Sequence, residues 1–580
     1  MALRIANCSG FFGDRRRAAA EMVEDGPIDI LTGDYLAELT MAILARHRMK
    51  EPGSGYVPTF LDHLQDVLVT CIDRGIRVVT NAGGLDPSGL GAAVSAMAGR
   101  LGVNPRVATI TGDDMLAVAA QLPHAATGKL MADRGLTPLT ANAYLGGWGI
   151  AAALDAGADI VVTGRVADAS LVVGPAAWHY GWDRDDWDRL AGAVVAGHII
   201  ECGAQATGGN FSFFTEVPDL PRVGFPIAEI DEDGSSVITK HPGTGGMVTT
   251  ETVTAQLLYE VGGPQYLNPD VVARLDSVVL TQSDSDRVMV SGVVGEPAPV
   301  TTKVAATATG GFRNAVTFVL PGLDVEAKAA VALEALWARV GPPDTFAEVE
   351  VQLSRTDHPD PGSHEASFAT LKVSVSDPEA ARVGRRFSNA AVELALATYP
   401  GFLLTDPPRS ESPHIVYWPS VAPQPVTVVT VDGASFEVPP TDSGSPWRSH
   451  LADPVSEISP AMPPPEDEPS VRAPLGRMVG ARSGDKGGDA NVGVWARSDA
   501  GFAWLERFLT VDRLRDLIPE TSALEVHRFV LPRLRAMNFV LVGYLGEGAA
   551  SSTRSDPQAK ALGEYLRARL VDVPTELVTA

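Results

Sequence analysis

Cysteine is scarce: the 580 residues contain three, Cys8, Cys71 and Cys202, and no C-x-x-C pair. That excludes a disulfide scaffold and a cysteine-rich zinc site. Basic residues are also under-represented, 46 Lys and Arg against 71 Asp and Glu, for a formal charge of −25. Nucleic-acid binding needs a basic footprint that displaces counterions, and this chain has the opposite sign. The same sign opposes docking on an anionic membrane. No apolar run approaches the roughly 18 residues of a spanning helix. The start, Met1-Ala2-Leu3-Arg4-Ile5, lacks the basic-then-apolar shape of a secretory signal. The expectation is a soluble cytoplasmic protein whose partner is a small molecule, without nucleic acid or membrane. Catalytic signatures are missing too: no G-x-S-x-G elbow, no H-E-x-x-H, no G-x-G-x-x-G and no P-loop spacing.

What remains is ordinary globular material, 45% hydrophobic and 20% charged, long enough for more than one domain. A rhythm recurs along the first 200 residues. Short apolar, β-branched runs end in small polar residues and are followed by helical periodicity: Leu3 to Asn7, Ile28 to Leu31, Ile76 to Thr80, Val107 to Ile110 and Ile160 to Val162. Strands alternating with helices predict an α/β fold, a mainly parallel sheet flanked by helices, because parallel neighbours require a crossover. Between about 270 and 435 the pattern changes to strand-like alternation interrupted by helical stretches at Val325 to Val340 and Pro378 to Tyr399, an α+β portion. Residues 441–473 turn to Pro, Ser, Asp and Glu and read as a linker. The expected organisation is an N-terminal domain over 1–440 and a small α+β domain of ferredoxin-like type over 474–580.

In parallel α/β sheets ligands bind at the carboxyl ends of strands. Three predicted ends share one logic, Thr32-Gly33-Asp34, Thr111-Gly112-Asp113 and Thr163-Gly164-Arg165, and a fourth reads Asn81-Ala82-Gly83-Gly84. Ser9, Asp34, Asn81, Gly83, Gly84, Asp113 and Arg165 are therefore candidate substrate-binding residues. Helix capping is the plainer alternative for any one of them. In Thr163-Gly164-Arg165-Val166-Ala167-Asp168, Arg165 can clamp an anion while Asp168 moves a proton, or the two can simply pair with each other. Glu201 is a candidate base, and Cys202 beside it a weaker candidate nucleophile. Gly208, Gly209 and Asn210, and Gly245 and Gly246 in the turn after His241, are read as anion-binding backbone. The densest signal is Ala481-Arg482-Ser483-Gly484-Asp485-Lys486-Gly487-Gly488-Asp489-Ala490-Asn491, taken as a glycine-rich loop between two strands. Arg482, Ser483, Asp485 and Asn491 would bind substrate there, and Lys486 would take part in catalysis. Asp34, Asp86, Asp113 and Asp114 could alternatively gather a divalent cation.

Thr80 to Gly84, Thr163 to Ala169 and above all Ala481 to Asn491 resemble the acyclic terpene utilisation family, the AtuA proteins, over nearly the whole chain. The resemblance implies a large N-terminal domain, a linker and a small ferredoxin-like domain. It also implies a role in catabolism of branched acyclic terpenoids or related branched acids, handled as coenzyme A thioesters. It carries no assignment of catalytic residues. The resulting expectation is a hydratase- or lyase-type enzyme of acid–base chemistry, with Asp168, Glu201 and Lys486 catalytic and no certain cofactor beyond a coenzyme A thioester as substrate. A cation-dependent hydrolase or lyase and a non-catalytic assembly partner are the alternatives. A homo-oligomer is expected from strand edges that need cover.

Overall fold

The computed structural model describes residues 2–51, 53–441 and 469–579. The apolar runs form short strands: β1 (Leu3–Asn7), β2 (Ile30–Gly33), β3 (Arg77–Thr80), β4 (Val107–Thr111), β5 (Pro138–Ala143), β6 (Ile160–Thr163), β7 (Pro226–Ile230) and β8 (Ser236–Lys240). All but β5 join one eleven-stranded sheet in the order Val279–Asp284, Arg287–Ser291, β8, β7, β1, β2, β3, β6, β4, Thr427–Val431, Ala434–Val438. Its five central strands, β1, β2, β3, β6 and β4, are parallel. Both margins are antiparallel, built from hairpins that need no crossover. The sheet is thus mixed, and the mainly parallel arrangement expected from the sequence holds for its centre. Each margin strand is joined to a neighbour by a tight turn, which only antiparallel pairing permits.

The helices are α1 (Ala18–Glu24), α2 (Glu38–Lys50), α3 (Thr59–Arg74), α4 (Pro87–Arg100), α5 (Trp148–Asp155), α6 (Ser170–Tyr180), α7 (Trp187–Ile200) and α8 (Thr250–Leu257). Side chains alternate across a strand, so Val79 and Val161 face one apolar core while Val78, Ile160 and Val162 face the other. The first core is completed by α5 to α8 and the second by α1 to α4. Strands covered on both faces must be apolar on both, which is why these runs read as continuous rather than alternating. Helix α7 is buried on every side from Leu190 to Ile200. Among the described residues no helix is long and apolar enough to cross a membrane.

The chain divides into two compact units. The first comprises Met1–Thr307, Tyr417–Ala549 and Asp556–Ala580. The second, Ala308–Val416 with Ala550–Ser555, is α+β: the strand Thr301–Pro321 pairs antiparallel with Phe368–Asp377, which pairs with Glu348–Ser354. The helix Val325–Val340 closes its core through Leu336 against Phe318 and Phe387. The single helix expected from Pro378 to Tyr399 is two, Ala380–Val383 and Arg385–Val392, because Gly384 leaves helical geometry with ψ −141°.

Within the first unit, the C-terminal segment forms a four-stranded antiparallel sheet in the order Val479–Lys486, Asp489–Ala496, Ala536–Leu541, Val526–Leu531. The stretch Ala481 to Asn491 is strand, turn and strand rather than the loop expected. Only Gly487 and Gly488 lie in the turn, Gly487 taking the left-handed φ of +68° that a two-residue hairpin favours. The remaining glycine, Gly484, serves packing, since a Cβ on it would lie 2.6 Å from the Tyr259 ring, and so does Gly493 just beyond the stretch, where a Cβ would lie 2.4 Å from Leu258. The segment after α8 can therefore lie directly on the hairpin. All but the two ends of the linker read from the sequence, 441–473, fall outside the described residues.

Candidate functional site

Five strand tips are knitted together, those of β1, β2, β3, β4 and β6. Ser9 carbonyl accepts from the Asp34 N–H, and the Ser9 hydroxyl is spent on Phe11 O. At the end of β2, Asp34 Oδ1 accepts from Leu36 N at 3.1 Å and from Asn81 Nδ2, at the end of β3, at 2.6 Å. Asn81 Oδ1 in turn accepts from Tyr35 N, so one amide fixes the loop that carries Asp34. Asp113, at the end of β4, accepts at Oδ2 from Arg165 N at 2.9 Å and from Asn142 Nδ2 at 2.8 Å. The Arg165 guanidinium is 3% exposed as a residue and fully engaged. It donates to Asp168 Oδ1 at 2.7 Å, Leu36 O at 3.1 Å and Tyr144 Oη at 2.8 Å, and lies 4.2 Å from the centre of the Tyr144 ring. The pair with Asp168, the plainer of the two readings of this segment, is present.

A second wall comes from the end of α7. Asn7, at the tip of β1, donates Nδ2 to Ile200 O and Glu201 O, satisfying helix-end carbonyls that would otherwise lack partners. Glu201 thereby stands at the centre of the sheet's carboxyl edge, its Oε1 3.0 Å from His198 Nδ1. His198 packs 4.8 Å from the Tyr266 ring. The third wall is the C-terminal hairpin. Lys486 Nζ donates to Glu260 O at 2.7 Å and sits 5.8 Å from the Tyr266 ring centre. Glu260 adopts φ +55°, a left-handed conformation costly for a residue with a Cβ. It is held there by Asn491 Oδ1 on its N–H and Lys486 on its carbonyl.

The electrostatics describe one cluster. Burial, then the neighbouring Asp168, pushes the Asp34 carboxyl well above the usual range, against the opposing pull of Arg165 and Asn81. Burial, then Asp168 and Glu260, does the same to Glu201, against Lys486 and Arg165. Burial and the Lys486 charge lower His198 to about 4, so the imidazole is neutral near pH 7. Burial raises Asp113 to about 6. Cys202 is driven far up by burial and Glu201 and stays a thiol, which removes it as a nucleophile at neutral pH.

Other candidates lie elsewhere in purpose. The N–H groups of Gly84, Gly209, Gly245 and Gly246 go to Asn81, Ala204, Arg222 and Pro218 carbonyls, and that of Gly208 to Gln205 O. An anion therefore does not find them free. Gly83 allows close approach, since a Cβ there would lie 2.4 Å from Thr163 O. Asn210 O accepts from Arg482, whose guanidinium lies 4.3 Å from the Tyr259 ring centre. Ser483 Oγ bonds Ala559 O, and Asp485 Oδ1 accepts from Gln558 at 3.5 Å. Arg482 and Asn491 thus fasten the hairpin, and Lys486 is the residue that it delivers. The divalent-cation reading fails on donor arrangement. Asp86 caps α4 through Gly89 N, Asp114 is taken by Leu116 N, and among the described residues no three His, Cys, Asp or Glu are grouped for a metal.

The sequence reading set aside His198, one of three histidines near the glycine-rich segments, as a structural residue, and missed Glu260, Tyr266, Tyr144 and Lys303, whose Nζ lies 4.8 Å from the Tyr144 ring centre. Of these only Glu260 carried a local signal, a charged residue just ahead of Gly262-Gly263-Pro264.

Comparison with known families gives two matches. Residues 3–432 match the model described as acyclic terpene utilisation family protein AtuA, and residues 473–572 match the AtuA ferredoxin-like domain. No curated protein matches the chain.

Proposed function

The chain belongs to the acyclic terpene utilisation (AtuA) family, and from that premise we propose that it is an enzyme acting on a branched acyl-coenzyme A thioester or its free acid by hydratase- or lyase-type acid–base chemistry. The observation that carries this reading is the convergence of Asp34, Asp168 and Glu201 with Lys486, a residue from the far end of the chain.

Such chemistry needs one group to take a proton, another to give one, and positive charge where an enolate develops. Carboxyls in unlike environments divide those roles. Asp168 is ion-paired with Arg165 and retains 27% of its side-chain exposure, so it can meet substrate and accept the α-proton. Glu201, kept neutral by burial, gives its proton to a departing hydroxyl. The α C–H and β C–O bonds break, a C=C bond forms, and water leaves; the reverse order adds water. Lys486 supplies positive charge beside Glu201 for the thioester or carboxylate oxygen, in a protein whose overall field repels anions. Arg165 sets the Asp168 carboxylate rather than clamping substrate itself.

Incubation with a panel of branched acyl-coenzyme A thioesters and their acids, followed by mass spectrometry, tests the reading. Gain or loss of one water, or paired fragments from C–C cleavage, is expected. No change in any member of the panel would refute it.

A further inference from the structure

Helix α7 ends in a buried pair. His198 keeps 1% of its side-chain surface and Glu201, one turn on, 12%, with Nδ1 3.0 Å from Oε1. Burial leaves the imidazole neutral near pH 7 and leaves the carboxyl its proton. A single proton therefore lies between the two atoms, and it belongs to one or the other.

If Nδ1–H donates, Oε1 is the carbonyl oxygen and the acid proton must sit on Oε2. That oxygen is buried and has no hydrogen-bond partner among the described residues. A buried O–H without an acceptor loses its bond to water and gains none. If Oε1–H donates, the ring proton moves to Nε2, and Oε2 is left as an acceptor, the cheaper kind of group to leave unpaired. Nε2 makes no bond of full geometry, yet Leu257 O favours a proton on the ring. That carbonyl belongs to the last turn of α8, which the helix itself leaves without a donor. The second arrangement gives both protons an acceptor, and the first strands one.

Charge from several elements bears on the pair. Lys486 of the hairpin opposes a proton on His198, while Glu260, after α8, and Asp168, before α6, favour one. Asp168 and Glu260 likewise hold the proton on Glu201, against Lys486 and Arg165. Asp34 keeps its own proton, as do the Cys202 thiol and the Tyr266 hydroxyl. Lys486 Nζ lies 5.8 Å from the centre of the Tyr266 ring, against which His198 packs at 4.8 Å. It is the cation that keeps the imidazole from charging.

We propose that His198 is a positioning residue for Glu201: Nδ1 accepts Oε1–H and so fixes the acid's proton on Oε1 rather than on the sealed Oε2. Lys486 keeps that nitrogen free to accept. This rests on reading Glu201 as the acid of the proposed reaction. No bond forms or breaks at His198; the proton given to the leaving hydroxyl comes from Oε1. A charged imidazole would donate to Glu201 instead and favour its carboxylate, which has no proton to give.

NMR of the full chain labelled with nitrogen-15 in histidine reads the arrangement without turnover. The His198 signals are those lost in His198→Phe, or in His198→Gln should the Phe variant not fold. Near pH 7 the proton is expected on Nε2 and not on Nδ1, and Lys486→Met should raise the charged fraction of the ring at pH 5 several-fold. A proton on Nδ1, a charged ring near pH 7, or a ring that titrates alike in Lys486→Met overturns the proposal. Thioester conversion gives the second readout, since its rate falls as pH climbs through the Glu201 titration. His198→Phe offers no acceptor and should lose rate at a lower pH, while His198→Gln, whose amide oxygen can accept, should return the fall toward its unaltered place. One common pH profile in all three forms, at unaltered melting temperature, also overturns the proposal. A proton found on Nδ1 with thioesters still converted removes the role of His198 and leaves the acid–base reading standing. The expected NMR with no thioester converted by any form keeps the pair and removes only the acyl reading.

Discussion

Glu201 and Asp34 are carboxyls that the fold withholds from water, and a carboxyl so placed holds its proton. Glu201→Gln keeps the shape and neutrality of that side chain and removes only the transferable proton. Turnover should fall by about 10²–10⁴, while the melting temperature barely moves; a parallel collapse of stability would make Glu201 a structural residue. Glu260 is the strained neighbour. Glycine accepts its φ of +55° without a Cβ clash, so Glu260→Gly should raise stability, by at most about 1 kcal/mol, and lower turnover. Urea unfolding alongside kcat separates the two effects. Asp34, Asn81, Asp113, Arg165 and Asp168 were legible from sequence because each ends or follows a strand of a recognisable parallel centre. His198 was not, because it lies in a helix buried on all sides where a histidine reads as core. Tyr266 and Lys303 reach the cluster by packing that no local pattern encodes.

Among the elements, the end of β4 is the most telling, since Asp113 ties β4 to β5 through Asn142 and to the β6 tip through Arg165 N. Its carboxyl is raised from 3.8 to about 6 by burial. The folded chain binds that proton more tightly than the unfolded chain, so the associated stability is complete below the unfolded value and is lost as pH climbs through 6. Each tenfold change in proton affinity is worth about 1.4 kcal/mol, which makes the loss about 3 kcal/mol. Asp34 and Glu201 shift in the same direction and steepen the unaltered curve, so the informative quantity is the difference from Asp113→Asn. Urea unfolding across the acid to neutral range should show that difference moving in favour of the variant as pH climbs through 6, because an amide has no proton to lose. Curves that run parallel would mean that the slope does not belong to Asp113. The hairpin was legible as a dense segment but misread as a loop. Gly484, counted in that loop, instead admits the Tyr259 ring, as Gly493 beyond it admits Leu258. Spacing alone cannot distinguish a glycine that exposes an N–H from one that clears room for a neighbour.

On the scale of the first unit, a proline- and acid-rich stretch suggests independent halves, and the packing argues otherwise. The C-terminal segment has its own core around Val492, Leu505 and Phe539. Yet Trp495, Leu531, Leu534 and Ala536 belong to the same apolar cluster as Val194, Leu257 and Val290 on the large sheet side. Phe211 stacks on Trp495 at 6.0 Å, and Arg497 pairs with Glu216 and Glu251. Asn491 and Asn538 bond the carbonyls of Leu258, Val261 and Gly262, the segment that presents Glu260. A hairpin fastened this way can hold Lys486 over the carboxyls only while both halves stay folded. Trp495→Ala removes a large side chain from the shared core and should cost about 3–5 kcal/mol. If the core is common, calorimetry should show the large-sheet transition and the C-terminal transition move down together, with turnover lost in proportion to the population unfolded. A second peak that stays at the unaltered temperature would mean that the halves melt separately, and that Lys486 is brought to the cluster by docking rather than by folding.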